Sequence, residues 1–431
     1  MSAIKVFCKK DSARLRYVLD WLFTQVMHVT YELTDDREEV RDLPFYVSYG
    51  AESACSIPDA GLLWEPGIRQ SDILTGEWRS IPTLFHDSSS KTTLPFDLFS
   101  AIFFLISRYE EYDHYTPDKH GRYPASASIL SKNNWLQRPL VDEWIYELYL
   151  LLKANDIPVQ LSPYQFIPTY DIDMAYSYKH KGIQRNLGGF AKSFLKGRLA
   201  EVVQRFTVLM SRSLDPYDSF VFIKRLHTAY RLRPVYFILA SLKTTEYDKN
   251  ISPKTDVMQR LIRRLKRDGT IALHPSYYSD DSSTFQQEKS ILEQIIGESI
   301  RLSRQHYIRL TLPDTYRHLI LQNIQQDYSM GYGAALGFRA GTGRSFYWYD
   351  LENEVQTPLL LHPFCFMETT AHFEEKLTPE AALDRLRSMQ RTLQQTQSQL
   401  ITVFHNFSLG TDQEWKGWKV IYERLIKEYS R

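Results

Sequence analysis

From Phe166 onward, short runs of strand length alternate with longer segments of helical period, and few architectures accommodate that rhythm. The runs are FIPTY (166–170), PVYFILA (234–240), TIALH (270–274), SIRLS (299–303), QDYSM (326–330), TPLLLHPF (357–364) and LITVFH (400–405). Most are apolar through their length, as suits strands covered on both faces. Between them stand patterns such as MQRLIRRLKRDG and FQQEKSILEQIIG. The second has Ser283 and Gln286 at capping-box spacing and Gly297 where a helix would stop. Strand–helix units in series predict a parallel β/α architecture, either a barrel or an open doubly wound sheet.

The ends of these runs favour the barrel. Asp171 and Asp173, His274, Arg304 and His306, Asp327, His362 and His405 all stand at or just past the carboxyl end of an expected strand. That is the end of a β/α barrel where active sites are built. FIPTY runs straight into the two aspartates, and carboxylates there must be solvated, paired or bound to a cation. Spaced i, i+2 on extended backbone, they point the same way. One can then ligate a metal while the other takes a proton from water; the plainer alternative is a solvated turn. His274, just before Pro275, is a ligand or a hydrogen-bonded packing residue. Arg304 can clasp a carboxylate bidentately or form a surface pair of little energetic consequence. His405, followed by Asn406, can act as a general acid or sit in the core. No P-loop, HExxH or GxSxG is present, and GYGAALG (331–337) has Leu336 where GxGxxG needs glycine.

A chain of 431 residues suggests two domains. Residues 1–160 mix short strands with three helical patterns, and read as a separate α+β domain. The helices are DSARLRYVLDWLF, capped near Asp11 or Ser12, FDLFSAIFFLISRYEEY, and WIYELYLLLKAND (144–156); DIPVQLSPYQ then reads as a linker. A formal net charge of +1 argues against a general nucleic-acid binder. Cys8, Cys55 and Cys365 show no CxxC spacing and fit a reducing compartment. Lys9, Lys10, Asp11, Arg14, Arg16 and Asp20 break up any signal-peptide core. The longest apolar run, Leu98 to Ile106, is too short to span a bilayer, so a cytoplasmic location is expected. Segment 179–198 carries many Lys and Arg and no acid. It reads as a solvated insertion, or as a surface for an acidic glycan, a nucleotide-linked sugar or an anionic membrane. The aromatic share of 14% points weakly towards grooves that cover sugar rings.

In chain order, Thr-Tyr-Asp-x-Asp (169–173), His274, Arg304 ahead of a proline, Asp-Tyr-Ser (327–329) and His405 resemble the polysaccharide deacetylase superfamily. That is carbohydrate esterase family 4, the NodB-homology fold. RQHYIRL, PDTYRHL, DYSMGY, GFRAGT and HPSY resemble a divergent branch with an extra N-terminal module, in which LISRYEEYD and KHGRYPASAS fall. The resemblance implies a distorted (β/α)7 barrel over 161–431 and metal-dependent removal of an acetyl group from a saccharide. A free, lipid-linked or nucleotide-linked glycan in surface-polysaccharide synthesis or modification is the implied substrate, and zinc the first-choice cation. By position it implies Asp171 as general base, Asp173 and His274 as metal ligands, Arg304 as the residue holding the base, and His405 as the catalytic histidine. Asp327 or Asp350 is implied as the acid behind that histidine.

Where the family has a further histidine four residues after the first, this chain has Tyr278. A catalytic zinc site usually takes three protein ligands, so the third must come from elsewhere. His306, two residues past Arg304, is expected to supply it, with His405 or an incomplete site as the alternatives. Two rival readings are a glycan-binding relative without metal chemistry, and a barrel hydrolase of another amide, ester or phosphodiester bond.

Overall fold

The computed structural model describes residues 3–69, 72–89 and 91–429. Near the N-terminus, β1 (Ile4–Phe7), β2 (Tyr31–Thr34), β3 (Val47–Tyr49) and β4 (Cys55–Ile57) form a parallel sheet in the order β2-β1-β3-β4. A hairpin of β5 (Thr75–Trp78) and β6 (Ile81–Leu84) follows. The three expected helices are present as Ala13–Leu19, Leu98–Ile106 and Leu140–Ala154. The Ser12 side chain accepts the Leu15 N–H, and Asp97 accepts that of Ser100, each satisfying an orphan donor of a first turn. Leu98–Ile106 is buried at every residue, which is why its sequence is apolar all round. No described helix is long and apolar enough to cross a membrane.

The second sheet has nine strands: β7 (Gln165–Ile172), β8 (Val235–Leu239), β9 (Thr270–His274), β10 (Leu302–Ser303), β11 (Gln326–Asp327), β12 (Phe346–Asp350), β13 (Val355–Leu361), β14 (Phe366–Met367) and β15 (Gln399–His405). Their order is β12-β13-β11-β10-β9-β8-β7-β15-β14. Every pair is parallel except β12 with β13. Each of the seven expected runs holds or overlaps a strand. The helix expected to start at Ser283 instead takes Asp281 as its cap, which accepts the Thr284 N–H at 2.8 Å, while Gly297 ends it at φ 73° as expected.

The sheet is strongly curled. Arg304 follows β10, three strands from β7, which in a flat sheet would be about 14 Å away. Yet its guanidinium meets Asp171 of β7 at 2.7 Å. The ladder nonetheless does not close, so the distorted (β/α)7 barrel expected is met as a curled half-barrel of nine strands. Closure would pair β13 with β15, but β12 occupies the outer edge of β13 and β14 that of β15. The chain just before β14 crosses the gap, where Phe364 N–H donates to Met330 O and Cys365 N–H to Ile401 O.

Inside the curl, Val235, Phe237, Ala272, Ile308, Tyr328, Phe364, Met367, Ile401 and Val403 form their own buried cluster. The alternate residues Tyr236, Ile238, Leu400 and Phe404 belong to the larger core outside the sheet, the period-2 pattern of strands covered on both faces. That larger core runs without interruption from Ile4 to Ile426. Buried polar links also join the two sequence halves. Arg14 meets Glu354 at 2.9 Å, Asp142 meets Arg344 at 3.2 Å, and Glu111 accepts from Arg108 at 2.7 Å and from Arg339 at 2.8 Å.

Glu111 is 3% exposed and both its arginines 1%. Removing its carboxylate would strand the buried Arg339 and leave Arg108 with Glu110 alone. Glu111→Ala is expected to destabilise the fold by roughly 3–5 kcal/mol, read as a lowered urea midpoint. An unchanged midpoint would mean that water reaches the arginines.

Candidate active site

The inward register of the strands carries polar side chains to the rim of the curl. On β15, Ile401 and Val403 point inward and are followed by His405; on β9, Ala272 is followed by His274. Ile167 and Leu302 face the same cluster, and the same parity leads to Asp171 and Asp173 past one and to Arg304 past the other. Alternation alone therefore delivers a ring of carboxylates and imidazoles to the carboxyl ends of neighbouring strands.

His306 arrives differently. It lies in a short turn beyond β10, and the next two residues, Tyr307 and Ile308, are left-handed with φ of 57° and 53°. A β-branched residue there is a strained outlier, at a level of about 1–3 kcal/mol. Arg122 holds the turn by donating to Tyr307 O at 2.6 Å.

Asp173, His274 and His306 bring one ligand atom each to within 4.8 Å of one another. His274 Nε2 is 3.2 Å from Asp173 Oδ1, and His306 Nε2 is 3.5 Å from Asp173 Oδ2. The other nitrogen of each ring is committed to an acceptor. His274 Nδ1 lies 2.6 Å from Arg304 O and His306 Nδ1 3.0 Å from Asp248 Oδ1, so each must be N–H. Both Nε2 atoms are then turned on the Asp173 carboxylate, an arrangement that calls for a proton or a cation between them. Asp173 Oδ1 is buried and makes no hydrogen bond. Orphaned oxygen, paired Nε2 atoms and outer acceptors fixing the ring orientations together fit a divalent metal site. Burial alone would raise the Asp173 carboxyl, but His306 and the other imidazoles outweigh it and hold it well below the usual range. Burial opposes charge on His306 too, yet Asp173 and Asp248 push it up to about 9.

Two further groups face the same point. Asp171 is 2% exposed, pairs with Arg304, and keeps its second oxygen 3.7 Å from His274 Nε2. Arg304 donates its Nε to Tyr328 O at 3.0 Å and lies 4.2 Å from the Phe237 ring centroid. His405 Nε2 lies 3.4 Å from Asp173 Oδ2. Its Nδ1 and backbone N–H both engage Glu368, at 2.9 and 2.7 Å. Burial would keep His405 neutral, but Glu368 and Asp173 raise it well above the usual imidazole range.

The acid behind His405 is therefore Glu368, which corrects the expectation of Asp327 or Asp350. The Asp327 carboxylate is taken up by Ser303 and Ser329, each hydroxyl at 3.0 Å. Asp350 pairs with Arg317. His362 is bound by Ser345 and Gln326 and stacked on Tyr328, apart from the ring. Tyr278 is 55% exposed. Glu368 and Asp248 escaped the sequence reading because neither follows a long periodic run: Glu368 trails a two-residue strand, and Asp248 sits in the loop TTEYDKN.

The ring floors a cavity of about 300 Å³ whose walls include Lys119, His120, Tyr307 and Phe373. Tyr247 and Tyr277 stack at 3.9 Å beside it, and His120 Nδ1 lies 3.0 Å from the Tyr277 hydroxyl. Part of the wall thus comes from the first half of the chain.

Residues 4–156 match a family described as a family of unknown function (DUF7033). No curated protein matches the chain at a significant level. Among solved structures, a probable polysaccharide deacetylase from Pseudomonas aeruginosa PAO1 is 12% identical over 71% of this chain and 91% of its own, with a TM-score of 0.40. A protein from Mycobacterium smegmatis assigned as a polysaccharide deacetylase is 12% identical over 62% and 84%, also with a TM-score of 0.40. PuuE allantoinase is 11% identical over 62% and 84%, with a TM-score of 0.39. At these scores the overlap is partial, and the chemistry of the site is carried by its own geometry.

Proposed function

We propose that the chain is a metal-dependent hydrolase that removes an acetyl group from an acetylated saccharide. The observation that carries this reading is the convergence of Asp173, His274 and His306 beside an Arg304-held Asp171 and a Glu368-held His405. The acetyl group and the saccharide come from the sequence resemblance, and the aromatic wall of the cavity suits the face of a sugar ring.

A divalent cation held by Asp173, His274 and His306, with zinc the first choice for one oxygen and two imidazole ligands, would polarise the acyl carbonyl and acidify water towards neutral pH. Asp171 takes the proton of the attacking water, and Arg304 keeps its carboxylate aimed. As the tetrahedral centre collapses, His405 gives a proton to the departing amine or alkoxide. Glu368 fixes the His405 tautomer and stabilises its charged form between turnovers. Phe407 stacks on the His405 ring at 4.8 Å and limits its rotation.

The test is acetate release from N- and O-acetylated oligosaccharides, measured before chelation, after it, and after adding back divalent metal. Activity that disappears with chelator and returns with metal is expected. A protein that binds no metal, or releases acetate from neither linkage, ends the reading.

A further inference from the structure

The crossover from β7 to β8 carries two helices, Gly182–Leu195 and Leu199–Leu209, whose amphipathicity is inverted. In the first, Ile183, Leu187 and Phe194 are 79%, 62% and 66% exposed. With Phe190 they fall at i, i+4, i+7 and i+11, a single helical face. The buried positions of that helix are Asn186 and Ser193. Asn186 donates to Tyr178 O, and Ser193 donates to Glu201 of the second helix. The second helix repeats the spacing with Leu199, Val203, Phe206 and Met210, which are 60%, 61%, 53% and 54% exposed. Apolar stripes of this kind normally face a core. Two of them left in water, on helices that pack on each other, mark an interaction surface.

Charge identifies what covers it. Between 179 and 212 stand eight Lys and Arg against one acid, Glu201, while the whole chain is only +1, so the remainder is net negative. Arg198 meets Glu201 at 3.1 Å; among the described residues, Lys192 and Lys196 have no acidic partner. A second copy of the chain would bring two such cationic segments face to face, which like-charge repulsion opposes. An anionic bilayer offers both things the helices lack: an apolar layer for the stripes and headgroup charge for the Lys and Arg.

We propose that the helical pair 182–210 docks on an anionic membrane surface, its apolar stripes in the headgroup–acyl boundary. Arg185 donates to Lys249 O at 3.3 Å, and Lys249 lines the cavity of the site. Docking therefore sets the cavity mouth close to the lipid. The proposal stands on the exposed stripes and their charge, independently of what the site hydrolyses.

The test is co-sedimentation of the full chain with vesicles containing phosphatidylglycerol, beside vesicles of phosphatidylcholine alone. Binding to the anionic vesicles is expected, weakened by high salt and reduced about tenfold or more in Phe194→Glu/Val203→Glu. Lys192→Glu/Lys196→Glu should lower it as well. All four positions are on exposed faces, so far-UV circular dichroism should be unchanged. Three results would overturn the proposal: no binding to anionic vesicles, binding indifferent to the glutamates, or a wild-type dimer that Phe194→Glu splits. The last would assign the face to a second copy.

Discussion

Asp171→Asn is expected to keep its metal and lose turnover by on the order of a thousandfold, the scale of a positioned general base. Asparagine preserves the shape and can still accept a hydrogen bond from Arg304, but it cannot take a proton from water. The 2.7 Å contact with Arg304 occupies Oδ1, leaving Oδ2 facing His274. Some stability should go too, because Arg304 is 0% exposed and loses its counter-charge. Metal content separates the two effects. A variant inactive because it is unfolded would lose its metal as well, whereas a folded variant without a base would keep it. Full activity in Asp171→Asn would remove the base from this residue.

His306→Ala should be the variant that empties the metal site. Only Asp173 and His274 would remain, and affinity is expected to fall by about a hundredfold or more, beyond the usual loss of an outer-sphere partner. His405→Ala should retain metal while losing activity, since it lies outside the compact trio. His362→Ala should change neither, because its ring is engaged by Ser345 and Gln326 away from the cavity. Metal analysis of the three purified variants decides the matter. Loss of metal from His405→Ala with retention in His306→Ala would reverse the two assignments.

Much of this was readable in the chain because strand parity does the positioning. Ile167 fixes which way Asp171 and Asp173 point, Ala272 does so for His274, and Val403 for His405. No such rule covers residues in turns. His306 was anticipated from its nearness to Arg304, but the left-handed backbone at Tyr307 and Ile308 was not, since neither residue type favours it. Glu368 and Asp248 become visible only when the folded chain sets them against Nδ1 atoms. The open edge of the curl was hidden for a similar reason: FYWYD (346–350) is not among the expected runs, and nothing local says that it will pair antiparallel along the edge of β13.

His120 and Arg122 precede β7 by more than forty positions, yet one lines the cavity and the other pins the turn behind His306. Asp171, Asp173, His274 and His405 hang from strand ends, where a one-residue slip would turn every one of them away. The rim beside them is built from a loop bound by no such bookkeeping. Substitutions at Lys119 or His120 can therefore reshape what enters the cavity and leave the register beneath intact, so long as Arg122 still holds the His306 turn. A lineage could change its diet without relearning its chemistry.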